Sequence, residues 1–253
     1  MNRATRTSLN LILVVSTALL NACVAIPRED PYIKFREHMP RSILVFPPVN
    51  ESVDVIASYS WLSTVTRPIA ERGYYVYPVA IVDEFMKENG LPNPEDMHTA
   101  PLDKISEIFG AEAVLYVTIE DYGQKFRLVS SDSVVKARAE LVDVKTGVPI
   151  WNNKVSVTQS NSNNSGGGLL GAIVSAAIAQ VAESIGDAAH EATHIAHHQM
   201  FDREQNGLLF GPLHPTFEQQ QLEAAQKLEA AQQAEQEATD PSRIVPPGDE
   251  APL

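Results

Sequence analysis

One short helix-forming stretch, residues 186–201, carries the residues of this chain best suited to chemistry. Four of the seven histidines fall within nine positions, and two of them form the pattern His-Glu-x-x-His. In zinc hydrolases this pattern places two imidazoles on one face of a helix, where they bind the metal, and the glutamate acts as general base. The stretch therefore defines a candidate zinc site at His190, Glu191 and His194, and His197 and His198 follow one turn later.

Helical geometry changes what this motif predicts. Each residue of an α-helix advances by about 100°, so the four histidines share one face. The opposite face carries Ile185, Ala188, Ala192, Ile195 and Ala196. We expect the Ala/Ile side to pack on the core and the histidines to point into solvent. No Gly-x-x-His extension follows to supply a third zinc ligand. The sequence thus predicts a solvated histidine face, with a surface metal-binding or pH-sensing cluster as the alternative.

A second pattern resembles a nucleotide-binding loop but lacks its context. Gly166, Gly168 and Gly171 have the spacing of the dinucleotide fingerprint. That fingerprint needs a strand before it and a parallel strand after its helix, and neither is predicted here. We interpret these glycines as a flexible hinge. Because no nucleophile constellation, phosphate loop or paired-cysteine site occurs elsewhere, the sequence predicts no catalytic residues, no metal and no cofactor.

The N-terminus has the features of a lipoprotein signal peptide. Two arginines precede an apolar run, residues 9–20, which is shorter than the roughly 20 residues that a membrane span needs. The run ends in Leu-Asn-Ala-Cys, the pattern of a bacterial lipobox, and its Cys23 is the only cysteine of the chain. We expect residues 1–22 to be cleaved and Cys23 to be lipidated, which anchors the protein without spanning the bilayer.

Charge and sorting signals narrow the location and the partners. Val24 follows the lipidated cysteine, where Gram-negative inner-membrane lipoproteins carry Asp, so we expect the outer membrane, with the protein facing the periplasm. Removal of the signal peptide takes away two arginines and leaves 17 basic against 32 acidic residues. Such an acidic chain is a poor partner for nucleic acid. The single cysteine excludes a disulfide framework.

The middle of the chain predicts an α/β fold. Residues 42–47 read as a buried strand, residues 74–82 as a second strand, and residues 113–159 as three long strands with a hairpin turn at 145–147. Helical patterns lie between them, and alternating charges at Lys136, Arg138 and Glu140 predict one wet sheet face. The element order predicts a mixed sheet with helices packed on one side.

Two segments near the C-terminus are predicted to be helical or unstructured. The apolar residues 169–182 begin a long helix in which Gly171, Ser175 and Ala179 recur at every fourth position. Small residues at that spacing permit close helix packing, so core packing, a homo-oligomer interface and membrane-surface contact all remain open. Residues 215–253 are rich in Gln, Ala, Glu and then Pro, which predicts a solvated extension, partly helical or disordered, with a partner-binding helix as the alternative.

These features divide the chain into four parts. They are a signal peptide (1–22), an extended linker from the lipid anchor (23–40), a single α/β domain (41–214) and a low-complexity tail (215–253).

Several long motifs resemble a known family. They are SILVFPPVNES, YSWLSTVTRPIAERGYYVYPVAIVDE, NPEDMH, IFGAEAVLYVTI, GGGLLG and LLFGP. The sequence resembles, from about Cys23 to Pro212, the outer-membrane lipoproteins typified by a genome-derived neisserial vaccine antigen. This resemblance implies a fold similar to the TolB N-terminal domain and to transport-auxiliary lipoproteins. It also implies partners among other envelope lipoproteins, including CsgG-like ones, and supplies no catalytic residues.

Two classes of function follow. The first is a non-catalytic outer-membrane lipoprotein that serves as an accessory or scaffold in an envelope transport or assembly complex. The second is a zinc-dependent periplasmic hydrolase built on residues 190–194. A subunit of a curli-secretion-like pore is a further alternative within the first class, with residues 125–157 as its only candidate for a long amphipathic hairpin.

Overall fold

The computed structural model describes residues 30–126, 131–161 and 184–239. The chain divides into two units, Met1–Ile33 and Lys34–Leu253. Of the first unit only residues 30–33 are described, and there the Asp30 carboxylate accepts a hydrogen bond from the Tyr32 N–H (2.9 Å). The fold described below is that of the second unit.

A six-stranded mixed sheet forms the centre of the fold. Its strands are β1 (Ser42–Val45), β2 (Val49–Asn50), β3 (Tyr75–Val76), β4 (Ala113–Phe126), β5 (Ser131–Asp143) and β6 (Pro149–Asn161). The strand order is β3-β1-β4-β5-β6, and β2 also pairs with β4. The pairs β1–β3, β1–β4 and β2–β4 are parallel, whereas β4–β5 and β5–β6 are antiparallel. The predicted α/β class with a mixed sheet is confirmed.

Seven helices are described. They are α1 (Ile33–His38), α2 (Ala57–Glu71), α3 (Val79–Glu88), α4 (Pro94–Met97), α5 (Leu102–Phe109), α6 (Ser184–Phe201) and α7 (Phe217–Thr239). The apolar side chains of α2 recur every fourth residue, so Ala57, Trp61, Val65 and Ile69 form one fully buried face.

One face of the sheet is covered by α2 and α6. Phe201 of α6 stacks on Trp151 of β6, with ring centroids 5.8 Å apart. Asn153 of β6 donates a hydrogen bond to the Met200 carbonyl (2.7 Å). Along the antiparallel strands the opposite face keeps charged residues, as the alternation at Lys136, Arg138 and Glu140 predicts. Helices therefore pack on one side of the antiparallel half of the sheet.

The parallel half of the sheet is covered on both faces. Leu44 of β1 and Val114 of β4 are buried on the second face under α3, α4 and α5. The helical side chains there are Val82, Met86, Met97 and Ile105. Short parallel strands joined by helical crossovers have apolar residues at every position, because both faces are buried. The strand β1 shows this pattern, since all four of its residues are buried.

Two predicted elements differ from the structure. The second predicted strand, residues 74–82, is a strand only at Tyr75–Val76, because Pro78 ends it and α3 begins at Val79. The predicted extended linker contains helix α1, whose Phe35 is fully buried and meets Tyr74 edge-on with ring centroids 6.4 Å apart. Burial of one aromatic ring thus overrides the extended preference of the proline-rich stretch.

Other local predictions are confirmed. The turn at residues 145–147 joins β5 to β6, and Gly147 has a positive φ of 70°, as a tight hairpin turn requires. In the low-complexity tail, residues 217–239 form α7, most of which is exposed. The tail residues 240–253 lie outside the described residues.

Candidate functional site

The helix α6 carries all four clustered histidines, and it contacts two other elements of the fold. It packs on the sheet through Phe201 and, on its other side, against α2. The His197 ring contacts Trp61 of α2 edge-on, with ring centroids 4.2 Å apart. Nδ1 of His190 lies 3.1 Å from the hydroxyl of Ser60, which is also in α2.

The expectation that all four histidines point into solvent is wrong for His197. Only 2% of His197 is exposed, and His190 is half-buried, whereas His194 and His198 are exposed. The buried face of α6 consists of Ala189, Ala192, Thr193, Ala196, His197, Met200 and Phe201. A helix that packs on both a sheet and a second helix buries a wider arc than one that packs on a sheet alone. The buried arc therefore extends from the alanines into the histidine face.

The charge state of His197 follows from its burial. Loss of hydration, and to a smaller extent the neighbouring His194, His198 and His190, together lower its pKa to about 3. The ring is consequently neutral at ordinary pH. Neither ring nitrogen has a hydrogen-bond partner, and the same is true of the Trp61 indole N–H. The two rings instead pack edge-on against each other.

The zinc-protease pattern does not assemble a complete metal site in the described part of the chain. The rings of His190 and His194 are perpendicular, with centroids 5.0 Å apart, which suits two ligands of one metal. However, no group of three or more His, Cys, Asp or Glu side chains that could hold a metal occurs among the described residues. Glu191 is exposed on the helix surface rather than in a cleft. A zinc ion that catalyses hydrolysis needs three protein ligands and, within a cavity, a fourth coordination position for water or substrate.

His198 makes a hydrogen bond to the side chain of Asp202. Its Nδ1 lies 2.5 Å from Oδ2 of Asp202, just after the end of α6. The other carboxylate oxygen of Asp202 accepts a hydrogen bond from Arg72 Nε (3.0 Å) at the end of α2. Arg72 also lies over the Phe210 ring, 4.7 Å from its centroid. Asp202 thus connects the C-terminal ends of the two helices.

A cleft of about 200 Å³ lies between the exposed sides of α2 and α6. Its lining includes the exposed ion pair Arg67–Glu71 (2.8 Å) and the rings of His194 and His198. These groups offer hydrogen bonds and charge to solvent, which makes the cleft a surface for polar contacts.

A second cleft, about 270 Å³, lies on the open face of the antiparallel strands. Arg138 dominates it, because this side chain pairs with both Glu120 (3.0 Å) and Glu51 (3.1 Å). Lys154 is directly opposite Arg138 in the β5–β6 register. The charge alternation along β5 indicated a wet face, but only the pairing register brings these charges together.

Three predicted features lie outside the described residues: Cys23 with the signal peptide, the glycine pattern at 166–171, and the small-residue positions of segment 169–182. Within the described residues, none of the helices combines the length and apolar character needed to cross a membrane.

Comparisons with known proteins agree on the family of this chain. Residues 30–213 match the family described as "Putative lipoprotein GNA1162-like". The chain is 41% identical over 205 residues to "Putative lipoprotein NMB1124/NMB1162" of Neisseria meningitidis serogroup B (strain ATCC BAA-335 / MC58), which covers 80% of this chain and 95% of that protein.

Solved structures show weaker overlap in three dimensions. Lipoprotein GNA1162 from Neisseria meningitidis is 44% identical and matches with a TM-score of 0.47, covering 57% of this chain and 99% of that one. The C-terminal domain of LpoB from Escherichia coli matches at 21% identity and a TM-score of 0.34, covering 48% of this chain and 85% of that one. The family match and the sequence identity, rather than these TM-scores, define the kinship.

Proposed function

Because the chain belongs to the GNA1162-like lipoprotein family, we propose that it is a lipid-anchored, non-catalytic accessory protein of the outer membrane. Its acylated residue is Cys23, and its folded domain faces the periplasm. It acts as a scaffold or accessory component beside other envelope lipoproteins, including CsgG-like ones.

One observation carries the non-catalytic part of this proposal: the motif helix α6 serves as a core element. His197 is buried against Trp61, and Phe201 stacks on Trp151. A catalytic helix must instead present its ligands to a cavity that admits substrate. In α6 the first histidine bonds to Ser60 and the glutamate faces solvent.

The curli-secretion-like pore alternative is not favoured by the strand pairing. A pore subunit of that kind needs a long hairpin that is free to join neighbouring copies. The hairpin strand β5 is instead paired with β4 on one side and with β6 on the other, from Ser131 to Val142. The observed pairing completes the sheet of the subunit itself.

The anchor is tested by mass spectrometry of the mature N-terminus and by fractionation of the envelope. We expect an acylated Cys23 in the outer-membrane fraction. Cys23→Ala should accumulate as an uncleaved, unacylated precursor, and Val24→Asp should move the acylated protein to the inner membrane. An unmodified Cys23 in the mature protein would refute the proposed anchor.

The accessory role is tested by chemical crosslinking in native outer membranes, followed by purification of the full-length protein. We expect defined envelope lipoproteins to co-purify in amounts proportional to the bait. Glu191→Gln should leave both this recovery and any cellular phenotype unchanged, because the residue has no catalytic role. Recovery of no partner, together with a phenotype that depends on Glu191, would favour the hydrolase.

A further inference from the structure

We infer that the loop before α2, together with the first turn of α2, is a docking site for an apolar protein segment with basic flanks. This inference rests on the accessory role proposed above, because it names the surface and the chemistry of a partner. The site is the apolar patch, defined as Val53, Val55, Ile56 and Tyr59.

The apolar patch is unusually exposed for its composition. The exposed fractions are 93% for Val53, 81% for Val55, 61% for Ile56 and 68% for Tyr59. Four large apolar side chains within seven consecutive residues thus face solvent. Single exposed apolar residues are common on soluble proteins, whereas several within one short stretch are typical of an interaction surface.

The loop that presents the patch has a fixed conformation. The Asn50 side-chain oxygen accepts hydrogen bonds from the Ser52 N–H (3.0 Å) and hydroxyl (2.7 Å), and its amide donates to the Asp54 carbonyl (2.8 Å). The Asp54 carboxylate in turn accepts from the Ile56 N–H (3.0 Å). A rigid loop loses little conformational entropy on binding, so its apolar side chains are already placed for a partner.

A glycine on the neighbouring strand makes room for this loop. Gly123 of β4 has a φ of +103°, and a Cβ there would lie 3.0 Å from the Asp54 carboxylate. The loop is therefore braced against the sheet as well as by its own hydrogen bonds.

The charges around the patch specify the flanks of the partner. Glu51 and Asp54 lie within the loop, and no Lys or Arg occurs from Val49 to Thr66. Lys87, which interacts electrostatically with Tyr59, is itself paired with Asp83 (2.6 Å). The cation that faces Glu51, Arg138, is shared with Glu120. An apolar segment with Lys or Arg beside it would bury the patch and complement these carboxylates.

The same charges disfavour a second copy of the chain. The protein has a net charge of −13, and a symmetric contact would bring Glu51 and Asp54 of two copies together. Four side chains are also a small surface beside the roughly 800 Å² per partner of a stable interface, so self-association has little to offset this repulsion.

The patch lies far from the N-terminal end of this unit. Asp54 lies against Gly123, near the far end of β4, whereas the chain reaches the second unit through α1 at the opposite end. There, the Thr146 hydroxyl lies 3.3 Å from His38 Nε2, beside the start of β4 at Ala113. The ten intervening strand residues span about 30 Å. The segment that begins this unit, Lys34–His38, is thus remote from the patch.

The test is a peptide-display selection on the immobilised full-length protein, with counter-selection on the triple variant Val53→Ser, Val55→Ser, Ile56→Ser. We expect enriched peptides to combine an apolar run with flanking Lys or Arg and to be depleted in Asp and Glu. A synthetic peptide of that class should bind the triple variant at least tenfold more weakly than the wild type. The double variant Leu222→Ser, Leu228→Ser is the matched control, because it removes exposed leucines of α7 and should bind normally.

Two further measurements separate the other occupants. Sedimentation velocity should show no loss of self-association in the triple variant, and phosphatidylcholine vesicles should bind the non-acylated wild type and triple variant equally weakly. Peptides that survive counter-selection equally, patch-dependent self-association or patch-dependent vesicle binding would each overturn the inference. In native-membrane crosslinking, a partner that the triple variant still retains would refute the docking patch and leave the accessory role intact. If no partner is found while peptides still select the patch, the accessory role fails and the docking site stands.

Discussion

The imidazole of His197 meets the indole of Trp61 edge-on, with 4.2 Å between ring centroids, at the interface of α2 and α6. Both rings are buried, and neither offers a nitrogen to water. This contact makes one of the four clustered histidines part of the hydrophobic core. It also couples the stability of the fold to pH.

Stability should decline in mild acid because His197 cannot take up a proton while folded. Its pKa is lowered to about 3 in the folded state, against about 6.5 in the unfolded chain. Below pH 6.5 the unfolded state therefore binds a proton that the folded state does not, and the free energy of unfolding falls until about pH 3. We expect a loss of about 1.4 kcal/mol at pH 5.5 relative to pH 7.5 from this residue. Urea unfolding followed by tryptophan fluorescence measures it.

Variants isolate this contribution from that of the carboxylates. His197→Phe and His197→Leu should both reduce the difference in the free energy of unfolding between pH 7.5 and pH 5.5. The exposed His198→Gln should retain it, since His198 lies largely in solvent. An unchanged pH dependence in both His197 variants would contradict the assignment.

Removal of the Trp61 side chain should be strongly destabilising. Trp61 is fully buried, so Trp61→Ala should lower the free energy of unfolding by about 3–5 kcal/mol through lost burial and a cavity. Tyr59→Ala, two residues earlier on the same helix, removes a ring that is 68% exposed and should change stability by less than about 0.5 kcal/mol. Chemical denaturation of both variants checks the contrast; equal losses would place the indole outside the core.

Two glycines provide a matched test of how residues 211–214, which follow α6, pack on the fold. Gly73 and Gly90 have nearly equal positive φ values, 85° and 87°. A Cβ on Gly73 would lie 2.4 Å from the His214 backbone nitrogen, whereas one on Gly90 would meet nothing within 4 Å. Gly90→Ala should cost about 1 kcal/mol from backbone conformation alone. Gly73→Ala should lower the free energy of unfolding by roughly 3 kcal/mol or more, because residues 211–214 must also move. Thermal unfolding distinguishes them, and equal costs would show that residues 211–214 do not pack there.

The link at Asp202 should contribute modestly to the joining of α2 and α6. Asp202→Asn weakens the contacts to Arg72 and His198, so we expect a loss of about 1 kcal/mol, near the upper end for such pairs because Arg72 is largely buried. Glu71→Gln removes the exposed partner of Arg67 and should leave the unfolding midpoint unchanged. The difference between the two variants should shrink in high salt if the contribution is ionic.

Metal analysis tests the remaining chemical alternative. The purified protein should hold no stoichiometric zinc after mild chelation, because His190 and His194 have no third protein ligand among the described residues. Inductively coupled plasma mass spectrometry after dialysis measures this, with His190→Ala as the control for loose binding. One zinc per chain that is lost in His190→Ala would establish a metal site.

Local sequence patterns determined much of the fold. The alternation Lys136, Arg138, Glu140 predicted a wet strand face, and Lys-Thr-Gly predicted the turn between β5 and β6, because side-chain period and turn chemistry depend on near neighbours. The strand at residues 74–82 was overestimated because apolar residues around Pro78 fit a buried helix start as well as a strand. The lipidation of Cys23 remains a prediction from the same local pattern.

Only the tertiary structure decided how the histidine helix is used. Helical spacing placed His190, His194 and His197 on one face, but spacing cannot tell how many elements press on a helix. The sheet and α2 together bury an arc that reaches His197, and the exposed part is left to His194 and His198. Burial is a property of long-range packing, since Trp61 lies more than a hundred residues away in the chain. The sequence by itself determined which residues share a face, and packing decided which of them meets water.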